Sequence, residues 1–291
     1  MDAAPAQLTI VDDYDSITVR PVPVHSGHPV TCRTYEIGAP EIRDASTPRI
    51  GQDGVYDDSA FTGARPVSLD LVIRGDGSGS PYSYLERLVA FAHPGRRPYL
   101  YMSRYGVTPD GPWRMRLRGN PFSITHSRRA AALLELGLAF TSPTGYFESP
   151  QKSLGTSPTG AQDTDWSFPM SFPYTFGSSG ITPSLTFDVV GSAPVSPIIT
   201  IYGPAVNPEL VADDGTLFAF NGLTLDVNQH VYIDMGVGAV NLNADPTSSV
   251  WHLVDWGRSR WFRLMTGTRR ITIRGITGAA TVYWRNRRLT I

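Results

Sequence analysis

His25, His28 and Cys32, spaced His-x2-His-x3-Cys, are the one set of side chains in this sequence with the spacing of metal ligands. Imidazole nitrogen and thiolate sulfur suit zinc, but a structural zinc site takes four ligands and no fourth stands nearby. The intervening Ser26-Gly27-His28-Pro29 is also the composition of a tight turn between strands, and the turn is the reading adopted. Gly75-Asp76-Gly77-Ser78-Gly79-Ser80 looks like a phosphate loop, yet it lacks both the G-x-G-x-x-G spacing and the Gly-Lys-Ser/Thr ending that place backbone amides and a lysine on phosphates. Ser80 as N-cap with Pro81 at the first helical position explains the run as the start of a helix. Asp213-Asp214-Gly215 lacks the alternating carboxylates of a calcium loop, and Asp163 and Asp165 lie in a polar run where nothing shifts a pKa. No G-x-S-x-G elbow and no His-Glu-x-x-His helix occurs. With no nucleophile, base or metal constellation, the expectation is a protein without catalytic residues and without a cofactor. One ligand-like feature remains, the set Trp251, Trp256, Trp261 and Trp284. Exposed indole faces stack on sugar rings, but packing in a core or an interface is the weightier reading.

The elements that would position such residues are mostly strands. At 291 residues, with 41% apolar and 18% charged residues, 28 Gly and 24 Pro, the chain has the length of two domains and the turn content of all-β architecture. The single cysteine excludes an intrachain disulfide, and no run approaches the roughly 20 apolar residues of a membrane span. No signal-peptide core stands near the N-terminus, so folding in a cytoplasm is expected. The net charge of -1 excludes a globally basic nucleic-acid binder, but it conceals segregation. Residues 258–288 hold nine arginines and no acid, whereas residues 41–58 hold five acids, Glu41, Asp44, Asp53, Asp57 and Asp58, against two arginines. Such blocks are solvated faces or complementary subunit contacts.

Residues 149–165 are rich in Ser, Thr, Gly and Pro and read as a linker. Residues 166–177, W-S-F-P-M-S-F-P-Y-T-F-G, then read as an extended segment anchored by its aromatics, since each proline opposes a helix. The expected domains are therefore 1–148 and 166–291. In the first, residues 41–66 form a polar arm too long for an ordinary connection, either disordered or reaching for a partner. Val67, Leu69, Leu71 and Ile73 alternate as the core face of a strand, and Leu134, Leu136, Leu138 and Phe140 as another. Tyr84, Leu85, Leu88, Val89 and Ala92 recur at helical spacing, a stripe for covering a sheet. Arg114, Arg116 and Arg118 alternate against Met115 and Leu117, facing solvent, a channel or a neighbour's acids. In the second domain, short runs at residues 185–190, 196–201, 218–220, 223–227, 231–233, 240–242, 261–264, 271–273 and 281–285 predict an antiparallel sandwich without helices.

Taken in order, residues 166–177, the run Ala193-Pro194-Val195-Ser196-Pro197-Ile198-Ile199-Thr200-Ile201-Tyr202-Gly203-Pro204, Asn207-Pro208, Val231-Tyr232-Ile233-Asp234, Trp261-Phe262-Arg263-Leu264 and Thr281-Val282-Tyr283-Trp284-Arg285 resemble the distal tail proteins of long, non-contractile-tailed bacteriophages. The first half resembles the same family through its early strands, the arm, the strand at 67–73, the helix at 81–92 and Phe140-Thr141-Ser142-Pro143. The resemblance implies a mainly β chain of two β-sandwich domains, the first tail-tube-like with one packed helix and the second galectin-like or jelly-roll-like. It implies a homohexameric ring at the distal end of the virion tail, joining the tail tube protein to the tail-tip hub, with DNA passing through unbound and no catalytic residues. A cyclic ring needs two different complementary patches per subunit, and Glu41, Asp44, Asp53, Asp57 and Asp58 against Arg114, Arg116 and Arg118 of a neighbour are the expected pair. The arginine-rich strands are expected to face neighbours or solvent, since a basic bore would retain duplex DNA. The alternative is attachment to a host cell-surface glycan through Trp251, Trp256, Trp261 and Trp284.

Overall fold

The computed structural model describes residues 5–21, 28–43, 47–48, 55–56, 61–74, 80–104, 112–119, 125–130, 133–156 and 183–289. The chain divides into two compact units, Met1–Pro150 with Arg288–Ile291, and Gln151–Arg287. Arg288–Ile291 thus rejoin the first unit, a return absent from the reading of residues 166–291 as one domain. Residues 166–177 lie outside the described residues.

The first unit contains β1 (Pro5–Val11), β2 (Ser16–Pro21), β3 (Val30–Ile37), β4 (Ile42–Arg43), β5 (Thr47–Pro48), β6 (Val55–Tyr56), β7 (Phe61–Thr62), β8 (Arg65–Arg74), α1 (Pro81–Phe91), β9 (Tyr99–Arg104), β10 (Trp113–Arg116), β11 (Arg118–Gly119), β12 (Thr125–Ala130), β13 (Leu133–Ser142) and β14 (Phe147–Glu148). Its main sheet runs β11-β13-β8-β3-β2-β1-β9-β10-β14, antiparallel except between β2 and β3. β10 and β11 are separated by Leu117 alone, yet lie near opposite ends of that order, so the sheet curls back around one core. β8 and β13 pair along their full length, from Leu133 opposite Arg74 to Ser142 opposite Arg65. Their alternation buries Val67, Leu69, Leu71 and Ile73 beside Leu134, Leu136, Leu138 and Phe140, as the sequence pattern requires.

Helix α1 begins as expected: Ser80 Oγ accepts from the Tyr82 amide at 3.3 Å, and Pro81 occupies the first turn. Leu88, Phe91 and Ala92 are buried in the core, with Tyr84, Leu85 and Val89 packed at its margin. Gly119 passes so close to the end of the helix that a Cβ there would overlap the backbone of Ala92. The described pieces of the arm form two separate two-stranded sheets, β4 with β7 and β5 with β6. At its base the Glu41 amide donates to Ala64 O at 2.8 Å, and Tyr146 Oη bonds Thr62 Oγ1 at 2.6 Å.

The second unit contains β15 (Lys152–Gly155), β16 (Ser184–Val189), β17 (Ile198–Tyr202), β18 (Ala205–Ala212), β19 (Leu217–Ala219), β20 (Thr224–Leu225), β21 (His230–Asp234), β22 (Ala239–Leu242), β23 (Gly267–Ile276) and β24 (Ala280–Trp284). They form two antiparallel sheets, β15-β24-β17-β21-β22 and β16-β23-β18-β19, with β20 paired to β18. Ile199, Ile201, Val231, Ile233 and Val282 of one sheet and Leu185, Phe187, Leu210, Ile271 and Ile273 of the other share one buried core, which makes the unit a β-sandwich.

The second unit departs from the sequence expectations at four places. Residues 152–155, read as linker, form the edge strand β15, where pairing to β24 overrides a weak composition. Residues 261–264, read as a strand, form a loop whose one ladder contact is Leu264 with Val195. β18 is missing from the expected strands; in it Pro208 sits in a register shift between Ala205 and Glu209, with Asn207 at φ 45°. A 3₁₀ turn, Trp251–Leu253, also interrupts the expected helix-free unit.

Candidate interaction sites

On β10 and β11 the alternation places Trp113, Met115 and Leu117 in the core, so Arg114, Arg116 and Arg118 point outward. They are not equivalent. Arg114 lies over the Tyr99 ring at 4.4 Å and within 3.7 Å of Glu148, so its charge is engaged inside its own unit. Arg116 and Arg118 are exposed. Of the expected acidic partners, Glu41 is exposed at the base of the arm. Asp44, Asp53, Asp57 and Asp58 lie outside the described residues, as do His25, Asp163 and Asp165.

A second charged constellation had no sequence expectation. In the turn between β1 and β2, Asp12 Oδ1 accepts from the amides of Tyr14 and Asp15 at 2.9 and 2.8 Å. Arg96 reaches Asp12 Oδ2 at 2.9 Å, while Arg87 of α1 grips both oxygens of Asp15 at 2.7 and 2.5 Å. The Arg87 hydrogen bond holds the Asp15 carboxyl below its ordinary range and raises the guanidinium in return. The pairing joins residues 72 positions apart, so no local pattern announces it. Its effect is to fasten the turn to the helix, with Tyr14 displayed beyond it.

The metal-like spacing dissolves. Cys32 is buried, its thiol faces Thr34 O at 3.1 Å, and burial, with Asp70 adding to it, pushes the thiol up to about 12. A protonated thiol is neither a nucleophile nor a zinc ligand. Among the described residues no group of three or more His, Cys, Asp or Glu could hold a metal ion, and no helix is long and apolar enough to cross a membrane. Asp213-Asp214-Gly215 is the hairpin turn joining β18 to β19: Asp214 Oδ1 accepts from the Thr216 amide at 2.8 Å, and Arg269 bonds Asp213 at 2.8 Å.

The tryptophan set splits in two. Trp284 is 7% exposed and packs on Phe187 at 4.4 Å between ring centroids, inside the sandwich. Trp251, Trp256 and Trp261 form a separate cluster at 4.3, 5.6 and 5.7 Å from one another, with Trp261 on Phe218 at 4.8 Å. Ser259 pins the loop that carries them: its buried Oγ accepts from Ala219 N at 2.9 Å and donates to Ala219 O at 3.1 Å. Trp256 and Trp261 are half-buried against the core, and Trp251, 43% exposed, turns a ring outward.

Comparison with known proteins follows the same division. The family model described as Siphovirus-type tail component, C-terminal domain, matches residues 190–287, within the second unit. No curated protein sequence matches the chain. Among solved structures, the Dit protein (gp 19.1) of phage SPP1, described as a paradigm of the hub adsorption apparatus of phages infecting Gram-positive bacteria, is similar at TM-score 0.60 and 12% identity, over 96% of this chain and 98% of that one. The phage P2 baseplate in its activated conformation is similar at TM-score 0.48 and 11% identity with calcium, over 96% of this chain and 97% of that one. With strontium the values are 0.47 and 12%, over 96% and 98%. At 12% identity the likeness to the SPP1 protein is one of fold, and it runs through both units. Residues 190–287 thus match the C-terminal domain of siphovirus-type tail components, and the chain as a whole shares the fold of the SPP1 Dit protein, a likeness that supports a distal tail protein.

Proposed function

We propose that this structural tail component is the ring-forming adaptor at the distal end of the tail, a homohexamer with the tail tube protein on one face and the tail-tip hub on the other. The family match at residues 190–287, within a chain that follows the SPP1 Dit fold over 96% of its length, is the observation that carries this reading. The ring domain is the tail-tube-like first unit, and the galectin-like sandwich is the second. Exposed Arg116 and Arg118 are the basic half of a head-to-tail subunit contact, and Glu41 with Asp44, Asp53, Asp57 and Asp58 the acidic half. Arg114 has the lesser part, being held by Tyr99 and Glu148. DNA passes through the ring without specific binding, which requires that these arginines face a neighbour and not the bore. No step of this function is enzymatic, and none uses a cofactor. The test is native mass across a concentration series with negative-stain images of the same fractions. A six-fold ring with a central hole is the expected result; a chain that stays monomeric both alone and on purified tail tubes would refute it.

The second reading is that the second unit also touches host cell-wall or capsular glycan. The accessible Trp251 ring favours it, whereas Trp284 is inside the core and serves packing. Retention of the full chain on purified cell walls, lost in Trp251→Ala at unchanged stability, is the result expected if that ring makes the contact; retention unaffected by the substitution removes Trp251 from the role.

A further inference from the structure

The outer face of the sheet β15-β24-β17-β21-β22 collects side chains that no single strand reveals. Alternation sends Ile199, Ile201, Val231, Ile233 and Val282 inward, so Thr200, Tyr202, His230, Tyr232, Thr281 and Tyr283 stand on the other side. Register then fixes their neighbours. Thr200 lies between Thr281 and Tyr232, Tyr202 is opposite His230, Tyr232 is opposite Asn241, and Ile198 lies between Tyr283 and Asp234. The Tyr202 and His230 rings are 5.5 Å apart, and the Tyr283 and Thr281 side chains stand near the Tyr202 phenol. Thr200, in the middle, is 6% exposed although it faces outward. The phenols of Tyr202 and Tyr232 are raised by burial, with Tyr283 adding to the first and Asp234 to the second, so both keep their protons and can donate hydrogen bonds at neutral pH.

The chemistry of this face is specific in what it offers and what it lacks. It presents three phenol rings and an imidazole, apolar on their faces and hydrogen-bonding at their edges, among threonine hydroxyls and the Asn241 amide. The outward positions of β17, β21, β22 and β24 carry no lysine or arginine; Arg285, beyond the end of β24, turns to Gln151 at 3.0 Å. The one carboxylate, Asp234, uses Oδ1 to accept from the amides of Gly236 and Val237 at 2.8 and 3.0 Å. A phosphate or sulfate would find no cation here. A neutral pyranose matches both halves, its C–H face on a ring and its hydroxyls on Tyr, Thr, His and Asn. We infer that the Tyr202–His230–Tyr232–Tyr283 face is a binding site for a neutral pyranose glycan, separate from the tryptophan cluster, which packs on Phe218 of the opposite sheet. This rests on the second reading above for its ligand class and replaces Trp251 by the sheet face as its seat.

The test is saturation-transfer NMR on the full chain with the methyl glycosides of glucose, galactose, N-acetylglucosamine and rhamnose. Wild type transfers saturation to at least one of them. Tyr202→Ser with Tyr283→Ser weakens that binding at least about tenfold, and Trp251→Ala leaves it in place. Tyr283→Phe, which keeps the ring and removes one hydroxyl, decides the matter if the double variant does not fold, because it should reduce binding at an unchanged melting temperature. No binding by wild type overturns both the inference and the glycan reading. Binding that survives both tyrosine substitutions and disappears in Trp251→Ala overturns the inference and leaves the reading standing.

Discussion

Trp284→Ala and Trp251→Ala should differ several-fold in cost, although sequence alone gives the two tryptophans the same standing. Trp284 is 7% exposed and packs on Phe187 at 4.4 Å, so truncation removes a nearly complete indole from the sandwich and leaves a cavity between its sheets. Losses of this kind run to about 3–5 kcal/mol, of which about 1 kcal/mol is the ring pair. Trp251 is 43% exposed and rests mainly on Trp256 at 4.3 Å, so its removal forfeits part of one face, about 1 kcal/mol. With a urea dependence near 2 kcal/mol per molar, the midpoint of the second unit should fall by about 2 M in Trp284→Ala and about 0.5 M in Trp251→Ala. Urea titration followed by circular dichroism and by indole fluorescence measures it, since Trp113 alone of the described tryptophans belongs to the first unit. Two units need not unfold together, so the transition that fluorescence follows is the one to compare. Equal midpoint shifts, or a larger one for Trp251, would refute the division of the set into core and surface.

Acid should erode the attachment of the β1–β2 turn. Asp15 has a folded pKa below its unfolded value, because Arg87 hydrogen-bonds its carboxylate, so its contribution is present above the unfolded value and lost as pH falls through the folded one. The pair is partly exposed, which limits the effect to about 0.5–1 kcal/mol; Arg87→Met should flatten the acid side of a plot of melting temperature against pH. Ser80→Ala should destabilise the first unit by about 0.5–1 kcal/mol, the low end for a lost N-cap because the bond is long, while Ser80→Asp restores it in thermal melts. Cys32, with its thiol pushed up to about 12 and buried, should resist maleimide at pH 8 in the native protein and react once urea is added; rapid native labelling would show that the β3 core opens.

What the sequence made legible follows the range over which each structure is encoded. β8, β13 and α1 repeat one residue class at one period, so Val67 to Ile73 and Ser80-Pro81 announce themselves. β18 does not, because its defining feature is a bulge, and a bulge turns Asn207-Pro208 from a strand breaker into a tolerated corner. Residues 261–264 have a strand's composition but are held as a loop through Ser259, whose partner Ala219 is 40 residues away. Arg114, Arg116 and Arg118 could be placed on one face from their spacing; that Arg114 is drawn to Tyr99 could not. The tyrosine face was invisible because each strand contributes only one to three outward polar residues, a pattern shared with any solvated sheet. Register across β24, β17, β21 and β22 is what assembles them.

Ring and sugar face together make a prediction that neither makes alone. A single pyranose on an open sheet face forms few contacts and covers little area, and small ligands of this kind bind weakly, with Kd on the order of 1 mM. Such affinity would not hold a particle to a cell. Six copies on one ring would change the arithmetic, because each later contact is made at high effective concentration and avidity rises by about 10²–10⁴ without any new contact. Arg116→Glu with Arg118→Glu should therefore leave the saturation-transfer signal for a methyl glycoside unchanged, since those residues lie in the first unit and the face in the second. The same substitutions should abolish the ring in negative stain and sharply reduce retention on purified cell walls. Equal retention of ring and subunit on those walls would show that the sugar face, whatever it binds in solution, gains nothing from assembly.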